Sequence, residues 1–275
     1  MKPAIIGYGF VGQALHSVLK RPTEALIFDP TEGYTYIGGI TGLLKNEPDI
    51  IFLCLPTPTV EGKCDDSIVL EYVEWLKDWP GCVVIKSTIP PSTVEKIQEI
   101  RPSTVVWPEL LREANAKRDI QWPEIIVVGA PSTMHFDFVE RFIKEETNIF
   151  WNKAQYPHEN SKVKYVKPVE ASIFKYAVNS FLATKTVFFH QMKLWLKNSG
   201  REENYDVVTK LLADEGRVGK SHMEAPGEHG YGYDGSCFPK DVQALLDQVY
   251  HEDRTTFGLL NEVDAQNRLL RLVAS

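Results

Sequence analysis

Short hydrophobic runs alternate with helical patterns over the first 165 residues. The runs have strand length and are apolar on both faces, as in buried parallel strands; they cover residues 3–6, 25–28, 49–55, 82–85, 104–107, 125–129 and 149–151. Helical spacing of apolar residues separates them, most clearly at 13–20, 67–79, 91–100 and 132–146. The alternation predicts an α/β fold, with a Rossmann-like, doubly wound parallel sheet and crossover helices.

From about residue 166 no further strand-like run appears, and helical spacing dominates. Residues 169–198 fit one helix of about 45 Å at 1.5 Å per residue. Shorter helices are predicted at 205–214, 240–250 and 256–273. We therefore predict two domains, a Rossmann-like domain at 1–165 and an all-helical domain at 166–275 built on the long helix.

The long helix carries more apolar side chains than one buried stripe needs; they include Phe174, Phe181, Leu182, Val187, Phe188 and Phe189. A central position within one subunit would bury them, and so would a second copy of the chain. The pattern favours a homodimer formed through residues 169–198.

The first strand runs into Gly7, Gly9 and Gly12, with the spacing G-x-G-x-x-G, and a helix follows. Such a turn lets backbone approach a pyrophosphate while the N–H groups of the helix face the anion. The second strand ends in Asp29, at the spacing of the acid that accepts a hydrogen bond from an adenosine ribose. A carboxylate there repels a 2′-phosphate, so NAD is predicted over NADP. An ordinary strand-end aspartate is the alternative.

Composition narrows the class of protein. The 275 residues have a formal net charge of -7 and no lysine or arginine run, which argues against nucleic acid or an anionic membrane as partner. Cys54, Cys64, Cys82 and Cys237 show no C-x-x-C spacing, so neither a metal site nor a disulfide framework is predicted. With no signal-peptide layout or membrane-length apolar run, a cytoplasmic protein is expected.

The best candidate for reactive chemistry is Cys237, which stands where a helix is predicted to begin. Pro239 suits the first helical turn, and the stretch from Asp241 onward has helical apolar spacing. The free N–H groups of that turn and the charge of Lys240 both favour thiolate. A small buried hydrophobe is the alternative interpretation.

Other polar residues are placed to assist. Lys175 and Asn179 are four residues apart and share one face of the long helix. Thr88, Glu109 and Glu113 follow apolar runs at the predicted carboxyl edge of the sheet, where open α/β sheets bind ligands. The alternative for the two helix residues is a solvated pair. The alternative for the three loop residues is that each is an ordinary structural residue.

In this order, several stretches resemble the UDP-glucose/GDP-mannose dehydrogenase family. Besides the glycine turn, the matching stretches are residues 55–58, 86–90, 108–113, 175–183, 217–219 and 236–241. The family oxidises the C6 hydroxyl of a nucleotide sugar to a carboxylate in two hydride transfers to NAD. The resemblance implies an enzyme of this kind, most simply one converting UDP-glucose to UDP-glucuronate.

Carried over position by position, the resemblance implies that Cys237 forms a thiohemiacetal and then a thioester. Lys175 and Asn179 would stabilise oxyanions, Thr88 and Asp241 would hold water, Glu113 would assist them, and Glu109 would serve thioester hydrolysis. The implied cofactor contacts are Gly7, Gly9, Phe10, Val11, Gly12, Asp29, Pro56, Thr57, Thr88 and Lys240. The implied substrate contacts are Glu109, Leu110, Leu111, Lys175, Asn179, Arg217, Tyr231, Tyr233 and Gly235, with Arg217 often reaching across the dimer interface in the family.

The sequence departs from the family pattern at three places. Asp234 stands where the glycine-rich approach to the cysteine has glycine, which adds bulk and negative charge beside a diphosphate. The segment between Asp29 and Asp49 is short, and the second Rossmann-like domain that closes over the nucleotide in the family does not follow Ser275. Two alternatives therefore stay open: a two-domain β-hydroxyacid-type dehydrogenase with one hydride transfer, and a non-catalytic NAD or nucleotide-sugar binding protein.

Overall fold

A computed structural model describes residues 1–36, 38–112, 115–150 and 163–273. It separates into two compact units. The first comprises Met1–Pro58 and Cys64–Lys175, and the second comprises Thr59–Lys63 and the chain from Tyr176 onward.

Seven strands of the first unit form one sheet, in the order β2-β1-β3-β6-β7-β8-β9. Their bounds are β1 Pro3–Ile6, β2 Leu26–Phe28, β3 Ile50–Leu53, β6 Cys82–Ile85, β7 Val105–Val106, β8 Ile126–Gly129 and β9 Val163–Val166. All neighbouring pairs are parallel except β7 and β8, which are antiparallel. Two further short strands, β4 Thr59–Val60 and β5 Lys63–Cys64, pair with each other.

Helices accompany the strands, with the bounds α1 Phe10–Ser17, α2 Gly39–Leu44, α3 Ser67–Trp75, α4 Pro91–Ile100, α5 Ala116–Gln121 and α6 Thr133–Glu146. Alternate residues of each central strand enter two different cores. Phe52 belongs to one cluster, whereas Ile51 and Leu53 belong to the other, and all three are fully buried. Because a strand side chain points to one face or the other in turn, two cores require packing on both faces of the sheet. The predicted doubly wound parallel sheet is confirmed, apart from the antiparallel pairing of β7 with β8, which was not predicted.

One predicted strand is wrong, and the strands β4, β5 and β9 were not predicted. Ile149 and Phe150 form no strand; Ile149 is buried in the core and Phe150 stacks on Trp122, while Trp151 lies outside the described residues. These apolar side chains are satisfied by packing without a ladder. In the seven-stranded sheet the missed strand is β9, whose two central residues are exposed, so that no continuous apolar run indicates it. The strands β4 and β5 have two residues each and are too short to show a pattern.

The second unit contains the remaining helices. They are α7 Pro168–Asn198, α8 Tyr205–Asp214, α9 Phe238–Asp247 and α10 Gly258–Leu270. The long helix α7 has 31 residues, which confirms its prediction; its residues up to Lys175 belong to the first unit and the rest to the second. No helix among the described residues is long and apolar enough to cross a membrane.

Candidate active site

The turn between β1 and α1 has the backbone that its glycines predict. Gly7 has φ of 90°, and a Cβ there would lie 2.4 Å from the carbonyl oxygen of Cys54. A Cβ on Gly12 would lie 2.1 Å from the oxygen of Gly7, so both positions exclude a side chain. Gly9 precedes α1 without a side-chain cap, and a Cβ on it would meet no atom within 4 Å. The first-turn N–H groups of α1 therefore have no side-chain cap from Gly9, and such free N–H groups suit a pyrophosphate.

Asp29 follows β2 and is tied to this glycine turn. One carboxylate oxygen accepts a hydrogen bond from the N–H of Tyr8 at 2.6 Å, and the other accepts from the N–H of Thr31 at 3.0 Å. The acid is partly exposed and keeps accepting capacity for ribose hydroxyls. A glycine turn, a helix N-terminus and a strand-end carboxylate thus lie together, and these residues fit an NAD-type dinucleotide.

The loops after β3 and β6 lock onto each other at the carboxyl edge of the sheet. The buried hydroxyl of Thr57 donates to the carbonyl oxygen of Thr88 at 2.8 Å. Ser87 accepts from the N–H of Leu55 at 2.9 Å and donates to its oxygen at 2.8 Å. The predicted cofactor contacts Thr57 and Thr88 are therefore held by a rigid pair of loops, and Pro56 beside them is exposed.

Glu109 and Lys175 form a buried ion pair within the first unit. Their charged atoms are 3.0 Å apart, and their side chains are 6% and 4% exposed. The second oxygen of Glu109 accepts from the N–H of Leu111 at 2.5 Å. Thr88 and Lys175 line one shallow depression, together with Ser87, Ile89, Val106, Pro108 and Ser172. Three predicted site residues, Thr88, Glu109 and Lys175, thus converge at the sheet edge.

A second buried lysine at this edge was not identified from the sequence. Lys86 is 2% exposed, and its ammonium lies 4.0 Å from the ring centroid of Trp107. Burial lowers the pKa of Lys86 to about 8, while the charge of Glu109 acts in the opposite direction. The available signal was its position at the end of an apolar run, directly before Ser87 and Thr88.

In the second unit, Asp241 is the centre of a polar cluster. It is 1% exposed, and its two oxygens accept from the amide of Asn179 at 2.5 Å and from the ammonium of Lys240 at 2.5 Å. The carbonyl oxygen of Lys240 accepts from the hydroxyl of Thr59 at 3.0 Å. The two hydrogen-bonding partners of this carboxylate keep it compatible with burial.

Cys237 caps α9, as predicted. The helix begins at Phe238 with Pro239 in its first turn, and the N–H of Asp241 donates to the carbonyl oxygen of Cys237 at 2.9 Å. The thiol is half-buried and lies 3.7 Å from the hydroxyl of Ser236. For the buried Cys54 and the half-buried Cys82, burial raises the pKa of each thiol to about 12. The thiolate character of Cys237 stays a prediction.

Residues 227–236, here called the Cys237 turn, lead into this cap. Tyr231 and Tyr233 are each 3% exposed, and the hydroxyl of Tyr233 donates to Asp264 at 3.1 Å. Their predicted substrate role stays a prediction, since both side chains belong to the core of the helical unit. Asp234 forms an ion pair with Arg271 at 2.6 Å, so its negative charge has a partner.

The remaining predicted residues are less closely gathered. The side chain of Arg217 is 90% exposed and pairs with Glu215, while Lys185 donates to the carbonyl oxygens of Val218 and Gly219 and so holds this loop. Glu113 lies outside the described residues. No cluster of metal-ligating side chains occurs within 1–36, 38–112, 115–150 and 163–273.

Comparison with known proteins agrees with this arrangement. Sequence models of the UDP-glucose/GDP-mannose dehydrogenase family match the chain twice, the NAD-binding domain at residues 41–145 and the central domain at 169–268. UDP-glucose 6-dehydrogenase of Pseudomonas aeruginosa is 29% identical over 237 residues, which are 80% of this chain and 49% of that protein.

Solved structures share the fold. A UDP-glucose dehydrogenase from Pyrobaculum islandicum aligns over 97% of this chain and 68% of that one, with a TM-score of 0.74 and 23% identity. 3-Hydroxyisobutyrate dehydrogenase of Mycobacterium tuberculosis aligns over 96% and 91%, with a TM-score of 0.68 and 14% identity.

The fold is thus that of an NAD-type dehydrogenase, with a glycine turn on a parallel sheet and a helical unit built on one long helix. The chain belongs to the UDP-glucose/GDP-mannose dehydrogenase family, of which it contains the NAD-binding and central domains. It spans about half the length of the curated relatives that it matches.

Proposed function

We propose that this protein oxidises the C6 hydroxyl of a nucleotide sugar to a carboxylate, with UDP-glucose as the first candidate substrate. The observation that carries the proposal is a pair of buried polar contacts on successive turns of α7. Lys175 binds Glu109, and Asn179, four residues later, binds Asp241. Side chains four apart share a helix face, so a cation and an amide are offered toward one reacting centre.

NAD, when bound, supplies the chemistry of accepting hydride at the reacting carbon. The residues of this chain stabilise the charge that develops on oxygen: the ammonium of Lys175 and the amide of Asn179 are donors suited to an alkoxide or a tetrahedral oxyanion. Because Glu109 and Asp241 already hold these donors in place, they need little reorganisation during the reaction.

The thiol of Cys237 supports the second oxidation. It adds to the carbonyl carbon of the aldehyde while the carbonyl oxygen takes a proton, and the resulting thiohemiacetal becomes a thioester by losing that hydroxyl proton and a hydride, for which a second molecule of NAD would be the acceptor. Water then attacks the thioester carbon, and the C–S bond breaks to release the acid and the thiol. Asp241, four residues beyond Cys237 in the same helix, and Thr88 are the candidates to hold that water, and Glu109 is the candidate to take its proton.

The test is the amount of NADH formed per sugar consumed, measured with NAD and UDP-glucose, GDP-mannose and UDP-N-acetylhexosamines. Two NADH per sugar are expected for the wild type. Cys237→Ser should form no NADH or should release the aldehyde slowly. Cys64→Ser is the matched control, since Cys64 is also partly exposed and is expected to leave the ratio at two. Binding of NAD without turnover of any of these sugars would contradict the proposal.

A one-step dehydrogenase is the second candidate. The chain covers 91% of the M. tuberculosis 3-hydroxyisobutyrate dehydrogenase structure, which lacks the excess length of the nucleotide-sugar enzymes. One NADH per molecule of a small hydroxy acid, unaffected by Cys237→Ser, would favour this function.

We also propose that the chain forms a homodimer through α7. Phe181, Phe188 and Trp195 recur at seven-residue spacing and are 66%, 59% and 61% exposed. Such a stripe of exposed aromatic side chains is typical of an interface. Sedimentation equilibrium of the wild type should give a dimer, and Phe188→Glu should give a monomer; a monomeric wild type would refute this proposal.

A further inference from the structure

A buried histidine in the middle of α7 contacts the Cys237 turn. His190 is 1% exposed, and its Nδ1 accepts from the N–H of Gly232 at 2.7 Å. Its Nε2 lies 2.8 Å from the carbonyl oxygen of Glu224. A backbone N–H only donates and a carbonyl oxygen only accepts, so the neutral tautomer with its proton on Nε2 satisfies both contacts.

The turn has little regular structure of its own and depends on such side chains. Its main chain closes through mutual hydrogen bonds between Gly227 and Gly230, both 3.0 Å long. On the side of α10, Asn267 accepts from the N–H of Tyr233 at 2.6 Å and donates to its oxygen at 3.1 Å. Gly232 itself has φ of 84°, a conformation that needs support to persist.

We propose that His190 is a positioning residue for Cys237. Its neutral ring bridges two points of the chain, the carbonyl of Glu224 and the N–H of Gly232, and so fixes the turn that ends at the thiol. The consequence for catalysis rests on the proposed function, whereas the consequence for the thiol itself does not.

The state of the ring follows from its surroundings. Burial lowers the pKa of His190, and the hydrogen bond to the Glu224 carbonyl acts in the opposite direction without outweighing it. The titratable side chain that faces the ring is Tyr231 of the turn, whose pKa burial raises. The His190 ring and the Tyr231 hydroxyl are therefore both uncharged near neutral pH. A protonated ring would place an N–H donor against the N–H of Gly232 and release the turn.

The first arm of the test needs no substrate. His190→Leu removes the donor and the acceptor, His190→Gln keeps one of each, and Gln191→Leu is a matched control on the exposed side of the same helix. Alkylation of Cys237 by iodoacetamide, followed by peptide mass spectrometry, reports the thiol. We expect about a tenfold slower reaction in His190→Leu, equivalent to one unit of thiol pKa, with the other two variants near wild type.

The second arm separates positioning from general damage. Misplacing a reacting group by about 1 Å costs on the order of 100-fold in rate, and only the second oxidation uses the thiol. His190→Leu should therefore release aldehyde and give NADH ratios falling from two toward one, with KM for NAD unchanged. An equal loss in both oxidations, with the ratio still at two, would overturn the proposal.

The two arms also separate this inference from the proposed function. If the wild type oxidises no nucleotide sugar, the proposed function fails, and the alkylation rates still decide the role of His190. If His190→Leu does not fold, hydrogen exchange at the Gly232 amide of the wild type is measured on either side of the His190 titration. Protection that disappears on protonation supports the proposal, and protection that persists refutes it.

Discussion

The candidate residues fall into two sets that are held in different ways, one in the sheet unit, called here the sheet half, and one in the helical unit, called here the thiol half. In the sheet unit, Thr88, Glu109 and Lys175 follow strand ends or sit on a packed helix, and their loops are tied by a dense set of hydrogen bonds. In the helical unit, Cys237 ends a glycine-rich turn that is held mainly by side chains of α7 and α10. The sheet half is therefore built from regular structure, and the thiol half from individual side-chain contacts.

This difference indicates where the site is vulnerable. A strand end is fixed by many backbone hydrogen bonds, so that the loss of one contact shifts it little. A turn with positive φ values and few backbone partners relies on each of its contacts. Substitutions in the sheet half should therefore act through buried charge and stability, and those in the thiol half through geometry.

The largest effect is expected where a buried charge loses its partner. Lys175→Met takes the ammonium away from the buried carboxylate of Glu109, and breaking a buried ion pair typically costs about 3–5 kcal/mol of the free energy of unfolding. Asn179→Leu is the matched variant in the thiol half. It should cost less, about 1–3 kcal/mol, because Asp241 keeps its ion pair with Lys240. Urea denaturation measures both. Equal costs would contradict the difference between the halves.

The next effect is a pH dependence of the sheet half. Burial lowers the pKa of Lys86 from 10.5 to about 8, so the unfolded chain binds more protons between these values and stability rises with pH across that window. Lys86→Met lacks this contribution. Relative to the variant, the wild type should gain on the order of 2–3 kcal/mol from pH 8 to 10.5. Tyrosines that titrate in the same range occur in both proteins, so their contributions cancel in the comparison. A difference in the free energy of unfolding that does not change with pH would refute the prediction.

Two glycines test geometry directly. A Cβ on Gly232 would lie 2.6 Å from Asn267 at positive φ, so Gly232→Ala should cost about 1–3 kcal/mol and slow Cys237 alkylation. Gly9→Ala meets no atom within 4 Å and should change stability by less than about 0.5 kcal/mol. Calorimetric titration should show weaker NAD binding in Gly9→Ala and unchanged NAD binding in Gly232→Ala. Destabilisation by Gly9→Ala would contradict the open space around a side chain at that position.

The smallest effect is expected at the Asp234–Arg271 ion pair, whose side chains are 43% and 33% exposed. Partly exposed pairs contribute about 0.2–1 kcal/mol and are screened by salt. A double-mutant cycle of Asp234→Ala and Arg271→Met should give a coupling energy in that range at low salt and less at high salt. A salt-independent coupling above about 2 kcal/mol would show that the pair acts as a buried bridge instead.

Much of the fold followed from local spacing. The alternation of apolar runs and helical patterns predicted the doubly wound sheet, and α7 and α8 occupy nearly the predicted ranges. The glycine turn and the cap at Cys237 were also identified, because their chemistry is carried by adjacent residues. The strand β9 was not predicted because its exposed residues interrupt the apolar run. Residues 149–150 were misleading because Ile149 is apolar for packing in the core and Phe150 for stacking on Trp122, and neither contact needs a strand.

The sequence by itself determined the class of fold, the glycine turn, the long helix and the set of candidate residues, since each depends on neighbours within one or two helical turns or one strand. Only the tertiary structure decided which side chains meet: Glu109 with Lys175, Asp234 with Arg271, and His190 with Gly232. These partners are between 37 and 66 residues apart in the chain. Contacts at that separation arise from packing, which brings distant elements together and leaves no periodic trace in the sequence.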